Sequence, residues 1–268
     1  MKTLGLDIGT TTISAVVLEN GAELDSLTLP NGGFLTGCAP WERIQDPLAI
    51  RATVMQAVEA LFACYPDIRA IGVTGQMHGI VYLDASGAPV SPLYTWQDGR
   101  GEQPRGGQTY AGYLSGLTGY PLATGHGLVT HFYNQEHGLV PENAAVLCTI
   151  HDYAAMSLCG LCAPCTDAGD AASLGMFDLR AGAFDRKALE LAGIDAALLP
   201  RVAAEPYLGS YQGRTDVFTA IGDNQASFLG ATGGDTNAML VNVGTGSQFS
   251  VYVPEYMQCP GLETRPFP

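Results

Sequence analysis

Positive charge is scarce in this 268-residue chain, which carries 12 Lys and Arg residues against 26 Asp and Glu residues, a net charge of −14. Only Lys2 and Lys187 are lysines. Nucleic-acid binding needs a basic surface that displaces counterions from phosphates, so we expect no nucleic-acid partner. The same deficit argues against binding to an anionic membrane surface. A nucleotide would have to arrive with its magnesium and meet local backbone donors.

Long apolar runs are also missing, and none approaches the length of about 20 residues that a membrane-spanning helix needs. A secretory signal is not expected, because Asp7 and Gly9 interrupt the first apolar stretch. The seven cysteines are an odd number, which fits reduced thiols better than a disulfide scaffold. We therefore predict a cytoplasmic protein. Its 47% of hydrophobic residues are enough to build a sizeable core.

A Walker-type phosphate loop is absent, and two turns rich in glycine and hydroxyl residues are candidates for its role. The first turn, Asp7 to Thr12, lies between two apolar strands, and the second, Gly244 to Ser247, is flanked in the same way. Glycine lets the backbone bend, while N–H groups and hydroxyls can hold a phosphate. An aspartate at the end of the strand is suited to a metal or its water. The alternative is an ordinary hairpin turn.

The order of predicted elements indicates an α/β fold. After the opening hairpin we expect a third strand over residues 21–29 and a helix that begins with Asp46 as N-cap and Pro47 in its first turn. An apolar stripe from Leu48 to Phe62 continues this helix, and Pro66 ends it. Strands are predicted over residues 70–74, 79–83, 146–150 and 217–221, with loops and short helices over residues 99–125.

Asp223 follows an apolar strand and precedes a predicted helix. Carboxylates at the carboxyl ends of strands face the ligand crevice in open α/β sheets. A phosphoryl acceptor hydroxyl needs a base that takes its proton, and an aspartate in this place could do so. The alternative is that Asp223 is only the N-cap of the helix.

Two polar loops contain the side chains that typically hold polyols. Gln76 and His78 offer an amide and an imidazole, while Trp96 and Asp98 offer an aromatic face and a carboxylate. His78 could instead be a satisfied buried histidine, and Asp98 could form an ordinary ion pair with Arg100.

Cys159, Cys162 and Cys165 follow one another at two-residue gaps, as ligands in metal sites often do. A structural zinc ion normally has four ligands, and no fourth is obvious here, with His151 the nearest candidate. Three free thiols are therefore the preferred interpretation.

Several motifs, taken in order, resemble the FGGY carbohydrate kinases of the actin and sugar-kinase superfamily. They are Asp7-Ile-Gly-Thr-Thr11, Gly75-Gln-Met-His-Gly79, Gly222-Asp-Asn-Gln225 and Gly244-Thr-Gly246. Residues 95–100, 149–153 and 156–161 look most similar to sedoheptulokinases, whereas the Gln76-Met77-His78 loop is shared with xylulokinases. The resemblance covers nearly the whole chain. It implies a ribonuclease-H-like (actin/hexokinase-type) α/β domain with a mixed sheet flanked by helices.

The resemblance also implies transfer of the γ-phosphoryl group of ATP, with magnesium, to a terminal hydroxyl of a ketose, for which sedoheptulose is the first candidate. The alternatives are xylulokinase or another ketose kinase, and a non-catalytic sugar-binding or regulatory module. Asp223 matches the catalytic base and Asp7 the aspartate near magnesium. The implied phosphate-binding residues are Gly9, Thr10, Thr11, Thr12, Gly244, Thr245 and Gly246; the implied sugar-binding residues are Gln76, Met77, His78, Trp96, Asp98, Asp152 and Asn224.

Family members carry two domains of similar fold, with catalysis in the cleft between them, and this is where the sequence departs from the pattern. We assign residues 1–258 to the N-terminal, sugar-binding domain and residues 259–268 to the start of a linker. The C-terminal, nucleotide-binding domain is expected as a missing partner, in the same chain or as a separate one. Alone, this chain is expected to bind ketose weakly and to have little kinase activity.

Overall fold

The computed structural model of the protein describes residues 1–36, 39–243, 247–257 and 262–267. The helices are α1 Pro47–Cys64, α2 Tyr110–Thr118, α3 Gly127–Glu136, α4 Ile150–Leu158, α5 Ala168–Leu174, α6 Arg186–Ala192 and α7 Asp223–Thr232, with 3₁₀ turns at Gly99–Glu102 and Ala196–Leu198. The strands are β1 Lys2–Ile8, β2 Thr12–Glu19, β3 Ala22–Pro30, β4 Ile44–Gln45, β5 Ile68–Gly75, β6 Val81–Leu83, β7 Leu93–Tyr94, β8 Pro104–Arg105, β9 Gln108–Thr109, β10 Val146–Cys148, β11 Cys165–Thr166, β12 Phe177–Asp178, β13 Ala183–Phe184, β14 Arg201–Val202, β15 Tyr207–Tyr211, β16 Thr215–Phe218, β17 Ile221–Gly222, β18 Met239–Val243 and β19 Ser247–Val251.

A mixed seven-stranded sheet organises the molecule, in the order β15-β16-β5-β1-β2-β3, with β17 also paired to β5. Strands β1, β2 and β3 are antiparallel neighbours, which confirms the predicted hairpin and third strand. Strand β5 runs parallel to β1, and both β16 and β17 run parallel to β5. The expectation of an α/β domain with a mixed sheet is confirmed.

Buried and exposed side chains alternate along strand β1, so that one face of the strand belongs to the core and the other to the site. Leu4, Leu6 and Ile8 are buried in the main apolar cluster, whereas Asp7 is exposed because successive side chains point to opposite faces of a strand. Helices α1 and α4 contribute to the same cluster, through residues such as Val54 and Ala154. The first core therefore lies between the sheet and these two helices.

Helix α1 begins where the sequence predicts, since the Asp46 carboxylate accepts hydrogen bonds from the backbone N–H groups of Leu48 at 2.8 Å and Ala49 at 3.3 Å. By length and composition alone this 18-residue helix is long and apolar enough to cross a membrane, which corrects the expectation that no stretch approaches that length. Its stripe, including Ile50 and Val58, is buried against the sheet. Such packing is that of a core helix.

A second apolar cluster is built largely from helices α2, α3 and α6, with buried residues such as Leu114, Phe132 and Leu189. Helix α2 lies inside the stretch predicted to be loops and short helices, and Thr109 caps its N-terminus through a 3.0 Å bond from the Gly112 N–H. This cluster supports the loops that carry Trp96 and His126.

Strands β18 and β19 form a hairpin that, within the described ranges, pairs with no other strand. One face of the hairpin carries the cross-strand pairs Met239–Val251 and Val241–Phe249. All four side chains are exposed, as is that of Val243. The described part of the chain leaves this apolar face uncovered.

Candidate functional site

The site lies where three parallel strands end. Asp7 of β1 and Ile221 of β17 are both paired with Thr74 of β5, from opposite sides. Asp223 comes two residues after Ile221, directly after the end of β17. The carboxyl ends of β1, β5 and β17 therefore meet at one edge of the sheet, and they bring Asp7 and Asp223 into one region.

Asp223 is the first residue of helix α7, and Gly222 occupies the N-cap position without a side-chain hydrogen bond. The alternative that Asp223 is the N-cap is therefore wrong. Burial raises the pKa of the Asp223 carboxyl group, the positive charge of His151 lowers it, and the charge of Asp7 raises it. The carboxylate remains exposed. It combines the accessibility and the raised pKa that a general base requires.

Asp7 is exposed at the end of β1. Burial by the surrounding chain raises the pKa of its carboxyl group, and the charge of His151 lowers it. Asp7 and Asp223 thus interact with the same cation, and each carries oxygen ligands of the kind that magnesium prefers.

Behind these two carboxylates lies a buried cluster of charged side chains. His151 Nε2 and Asp170 Oδ2 are 2.8 Å apart, and both side chains are fully buried. Burial lowers the pKa of His151, but the negative charge of Asp170 and its hydrogen bond outweigh this and raise the pKa to about 9. A Cβ atom on Gly75 would lie 3.2 Å from the His151 Cβ, so glycine at the end of β5 lets helix α4 approach.

Asp152 belongs to this cluster and not to the surface of the site. Helix α4 begins earlier than predicted, because Thr149 caps it and accepts a 3.2 Å bond from the Asp152 N–H. The first turn therefore places Asp152 in the interior, fully buried, where burial and the charge of Asp170 raise its pKa to about 7. Its contact with the sugar stays a prediction.

Ligand atoms of His151, Asp152 and Asp170 lie within 4.8 Å of one another, the one such group of three in the described ranges. The negative charge of Asp170 favours the protonated form of His151, with its pKa raised to about 9. The cluster is therefore a charge-compensating group in the interior.

Thr10 joins the first turn to both predicted sugar loops. Its hydroxyl donates to Gln76 Oε1 at 3.2 Å and accepts from Trp96 Nε1 at 3.0 Å. Gln76 is buried and also donates to Gln45 Oε1 at 3.0 Å, while Gln45 Nε2 reaches the Thr10 carbonyl at 2.9 Å. These bonds position the turn, so the Thr10 hydroxyl and much of the Gln76 amide are already engaged.

The remaining residues of the first turn are better placed for a ligand. Thr11 and Thr12 are exposed. A Cβ atom on Gly9 would lie 3.0 Å from the Thr12 carbonyl oxygen, so the tight turn favours glycine there. The second predicted phosphate turn, Gly244, Thr245 and Gly246, lies outside the described residues.

Met77 and His78 lie together beside the start of helix α7. Met77 is buried and packs on Gly222, where an added Cβ atom would meet its Sδ at 2.5 Å. His78 adopts a positive φ of 71° and its Nδ1 lies 2.7 Å from the Ser173 carbonyl oxygen. Since a carbonyl can only accept, Nδ1 carries the proton and Nε2 is left as an acceptor. The half-buried ring of His78 stacks on His126, with centroids 4.8 Å apart.

Trp96 and Asp98 have different environments although they are close in sequence. Trp96 is 45% exposed and offers an accessible aromatic face. Asp98 is fully buried, and its Oδ2 accepts from Arg100 Nη1 at 2.6 Å and from the Arg43 N–H at 2.9 Å. Asp98 therefore forms the local ion pair that the sequence left open, and its contact with the sugar stays a prediction.

The cysteines do not assemble into a metal site. Cys159 is half-buried, Cys162 is exposed and Cys165 is buried, and all three are free thiols. They are not among the described side chains that come close enough to share an ion.

A cavity of about 850 Å³ opens beside helix α7 and is lined by Asn224, Gln225, residues 249–257 and residues 262–267. Within it, Arg265 contacts both Met77 and His78. Sequence reasoning missed Arg265, Glu263, His126, Gln45 and Asp170. Each is an isolated polar residue outside the motifs, so only the fold brings it to the site.

This arrangement has counterparts among known proteins. A family model described as the N-terminal domain of the FGGY family of carbohydrate kinases matches residues 2–241. The chain belongs to this family. This FGGY chain is 34% identical to the sedoheptulokinase of Mus musculus, over 94% of the chain and 59% of that protein. It is 31% identical to the sedoheptulokinase of Homo sapiens, over 96% of the chain and 60% of that protein.

The fold of the FGGY chain is similar to the crystal structure of a ligand-bound xylulose kinase from Lactobacillus acidophilus, with a TM-score of 0.83 and 22% identity. The match covers 97% of this chain and 56% of that one. The predicted ribonuclease-H-like class is confirmed. The chain spans about 60% of the length of the two sedoheptulokinases.

Proposed function

We propose that this chain provides the sugar-binding part of an ATP-dependent ketose kinase that converts sedoheptulose to sedoheptulose 7-phosphate. The observation that carries the proposal is the placement of Asp7 and Asp223 at one edge of three parallel strands, beside Met77 and His78. Similarity to two sedoheptulokinases supports the choice of sugar. A cytoplasmic location is part of the same proposal.

In this proposal Asp223 is the general base. The acceptor oxygen forms a bond to the γ-phosphorus while the bond from that phosphorus to the β,γ-bridging oxygen breaks, and ADP leaves. The hydroxyl proton passes to the Asp223 carboxylate. The positive charge of His151 favours the ionised form of Asp223 that this step needs. Phosphoryl transfer depends mainly on such positioning and charge stabilisation.

Asp7 fits the magnesium ion that the family implies, because its accessible carboxylate offers hard oxygen ligands next to the phosphate turn. Bound magnesium would neutralise charge that develops on the phosphoryl oxygens. Thr11 and Thr12, together with the backbone of the turn, are the proposed phosphate contacts. Gly244, Thr245 and Gly246 are proposed for the same role on the strength of the family resemblance.

The sugar is proposed to lie against Trp96, Met77, His78 and Asn224. Trp96 would pack on the carbon chain through its exposed face, and Asn224 would bind hydroxyls. His78 would line the site, since its two ring nitrogens already lie next to the Ser173 carbonyl and Arg265. Gln76 acts here as a positioning residue, since Thr10 and Gln45 already occupy its amide.

For the domain organisation we propose residues 1–258 as the sugar-binding domain and residues 259–268 as the start of a linker. The partner would be a nucleotide-binding domain, in the same chain or a separate one. Without that domain the 268-residue chain is expected to release little ADP. Its relatives, which are longer, support this expectation.

The test is a panel of sugars assayed with the full-length gene product, by release of ADP. Sedoheptulose is compared with xylulose and fructose as ketoses and with glycerol as a polyol that lacks the ketone. We expect the highest kcat/KM for sedoheptulose. A preference for xylulose would support the alternative of a xylulose kinase. Absence of turnover with every sugar, with binding retained, would support a non-catalytic sugar-binding module and refute the kinase.

A further inference from the structure

Residues 262–267, which follow the terminal hairpin of strands β18 and β19, return to the proposed sugar site. Phe267 packs edge-on against Phe228 of α7, with centroids 5.6 Å apart, and against Tyr252 at 5.8 Å. These contacts anchor the segment over helix α7. Two residues earlier, the Arg265 guanidinium points at the Met77 and His78 pair.

Four hydrogen bonds fix the Arg265 guanidinium. Nε and Nη2 donate to the two carboxylate oxygens of Glu263 at 2.8 and 2.9 Å. Nη1 lies 3.0 Å from Met77 Sδ, and Nη2 lies 3.3 Å from His78 Nε2. His78 can accept this bond because its proton is on Nδ1. Since a guanidinium has five N–H donors, one on Nη1 is left for a ligand.

The group as a whole is neutral. Burial lowers the pKa of His126 to about 4, with a contribution from His78, so its ring is uncharged at neutral pH. Burial and the charge of Arg265 lower the pKa of His78 as well. Burial raises the pKa of Glu263, but its hydrogen bonds to Arg265 outweigh this effect and lower it overall. Arg265 and Glu263 therefore cancel in charge.

The group also keeps polar atoms for a ligand. The side chain of Glu263 is 58% exposed, although that of Arg265 is only 18% exposed. Nδ1 of His126 is buried and has no hydrogen-bond partner. Carboxylate oxygens accept hydrogen bonds from hydroxyls, and the remaining N–H of Arg265 can donate to one.

We propose that Glu263 and Arg265 form a second wall of the sugar site, one that selects an uncharged polyhydroxy chain over a phosphorylated one. The inference rests on the proposed ketose kinase function. Met77 contacts both Arg265 and Gly222, so the wall adjoins the start of helix α7. The negative charge of this pair is the accessible one, because Glu263 is 58% exposed and Arg265 only 18%, so a phosphate on the sugar would meet the carboxylate first and be repelled.

Two variants test the wall, Arg265→Gln and Glu263→Gln, with Arg214→Gln as the matched control on an exposed turn. Binding of sedoheptulose to the 268-residue chain is measured by titration calorimetry, and kcat and KM are measured with the full-length gene product. We expect Arg265→Gln to raise Kd and KM by about tenfold, the loss of one charge-assisted bond, with kcat within about twofold. The control should leave all three values unchanged.

The Kd of a ketose 1-phosphate tests whether the wall of Glu263 and Arg265 discriminates against a charged sugar. We expect the wild type to bind it at least about tenfold more weakly than the parent ketose, and Glu263→Gln to reduce that difference. If the ketose 1-phosphate binds as tightly as the parent ketose or more tightly, the proposal that Glu263 and Arg265 select an uncharged sugar is refuted. Unchanged Kd and KM in Arg265→Gln would refute it as well.

Other outcomes separate this inference from the proposed function. If the wild type phosphorylates no ketose, the proposed function fails, and the Kd values still decide whether the wall binds sugar. Should Arg265→Gln fail to fold, Arg265→Lys keeps the charge but loses the planar fork, and it should still raise Kd. A fall in kcat alone, with KM unchanged, would mean that Arg265 acts on the reaction and not on selection.

Discussion

Asp223 and Asp98 show how differently two aspartates behave in one site. Both follow polar motifs in the sequence, but Asp223 is exposed at the end of β17, whereas Asp98 is fully buried against Arg100. The motifs around them led to the assignment of both aspartates to the site. The motifs could not show burial, because burial depends on helices and loops that are distant in sequence. The burial of Asp152 could not be predicted for the same reason.

Replacing Asp223 with asparagine tests the proposed base. The amide keeps the size of the side chain but cannot take a proton, so kcat should fall by about 10²- to 10⁴-fold. Sedoheptulose affinity, measured by calorimetry, should change little. Asp216→Asn, on an exposed position of β16, is the control and should keep full activity. Full turnover by Asp223→Asn would show that another group accepts the proton.

His151 makes stability depend on pH in a direction that can be calculated. Its pKa is about 9 in the folded chain and about 6.5 when unperturbed, so the folded state binds more protons between these values. This contribution to stability is complete below pH 6.5 and is lost as pH rises through 9. The pKa of Asp152 is also raised, to about 7, so its contribution to stability is likewise lost as pH rises, but at lower pH than that of His151.

Urea unfolding at pH 7.5, 8.5 and 9.5 separates the two groups. We expect the free energy of unfolding of the wild type to decline over this range, and that of His151→Gln to start lower and decline less. His137→Gln replaces an exposed histidine and should retain the wild-type decline. Parallel declines in all three proteins would exclude His151 as the cause.

Secondary structure was predicted well where one local signal dominates. The hairpin, helix α1 and strand β5 all follow from apolar periodicity and from the Asp46-Pro47 start signal. Leu48 was wrongly included in the buried stripe and is 54% exposed, because it lies on the opposite side of the helix from the buried Ile50. The pairing of β17 with β5 could not be predicted, since strands of two residues carry no periodicity.

The contribution of the Asp46 cap to stability tests the prediction that Asp46 and Pro47 start helix α1. Asp46→Ala removes the acceptor for two N–H groups and should lower the free energy of unfolding by about 1 kcal/mol. Glu59→Ala changes an exposed residue in the middle of the same helix and should stay within about 0.5 kcal/mol of the wild type. The measurement is urea denaturation. Equal effects of both variants would mean that the cap contributes nothing measurable.

The terminal hairpin affects the behaviour of the whole molecule in solution. Two isolated strands are marginally stable in water, and contiguous exposed apolar side chains favour association. Since no described residue covers the face that carries Val241 and Phe249, we expect the 268-residue chain to self-associate as its concentration rises.

Sedimentation velocity over a range of concentrations tests this expectation. The double variant Val241→Thr with Phe249→Thr should remain monomeric at concentrations at which the wild type associates. Leu191→Thr, which changes an exposed leucine on helix α6, is the control and should behave as the wild type does. If the double variant associates as strongly as the wild type, the hairpin is not the contact.

The common edge of β1, β5 and β17 has a consequence for protein engineering. Asp7 lies in strand β1 and Asp223 directly follows β17, whereas Trp96, His78 and Arg265 lie in segments without helix or strand. The residues proposed for the chemistry and those proposed for the choice of sugar thus lie in separate parts of the chain. Under the proposed function, a library that randomises the connecting segments and leaves the strand ends intact is expected to change the preferred sugar and to keep the chemistry.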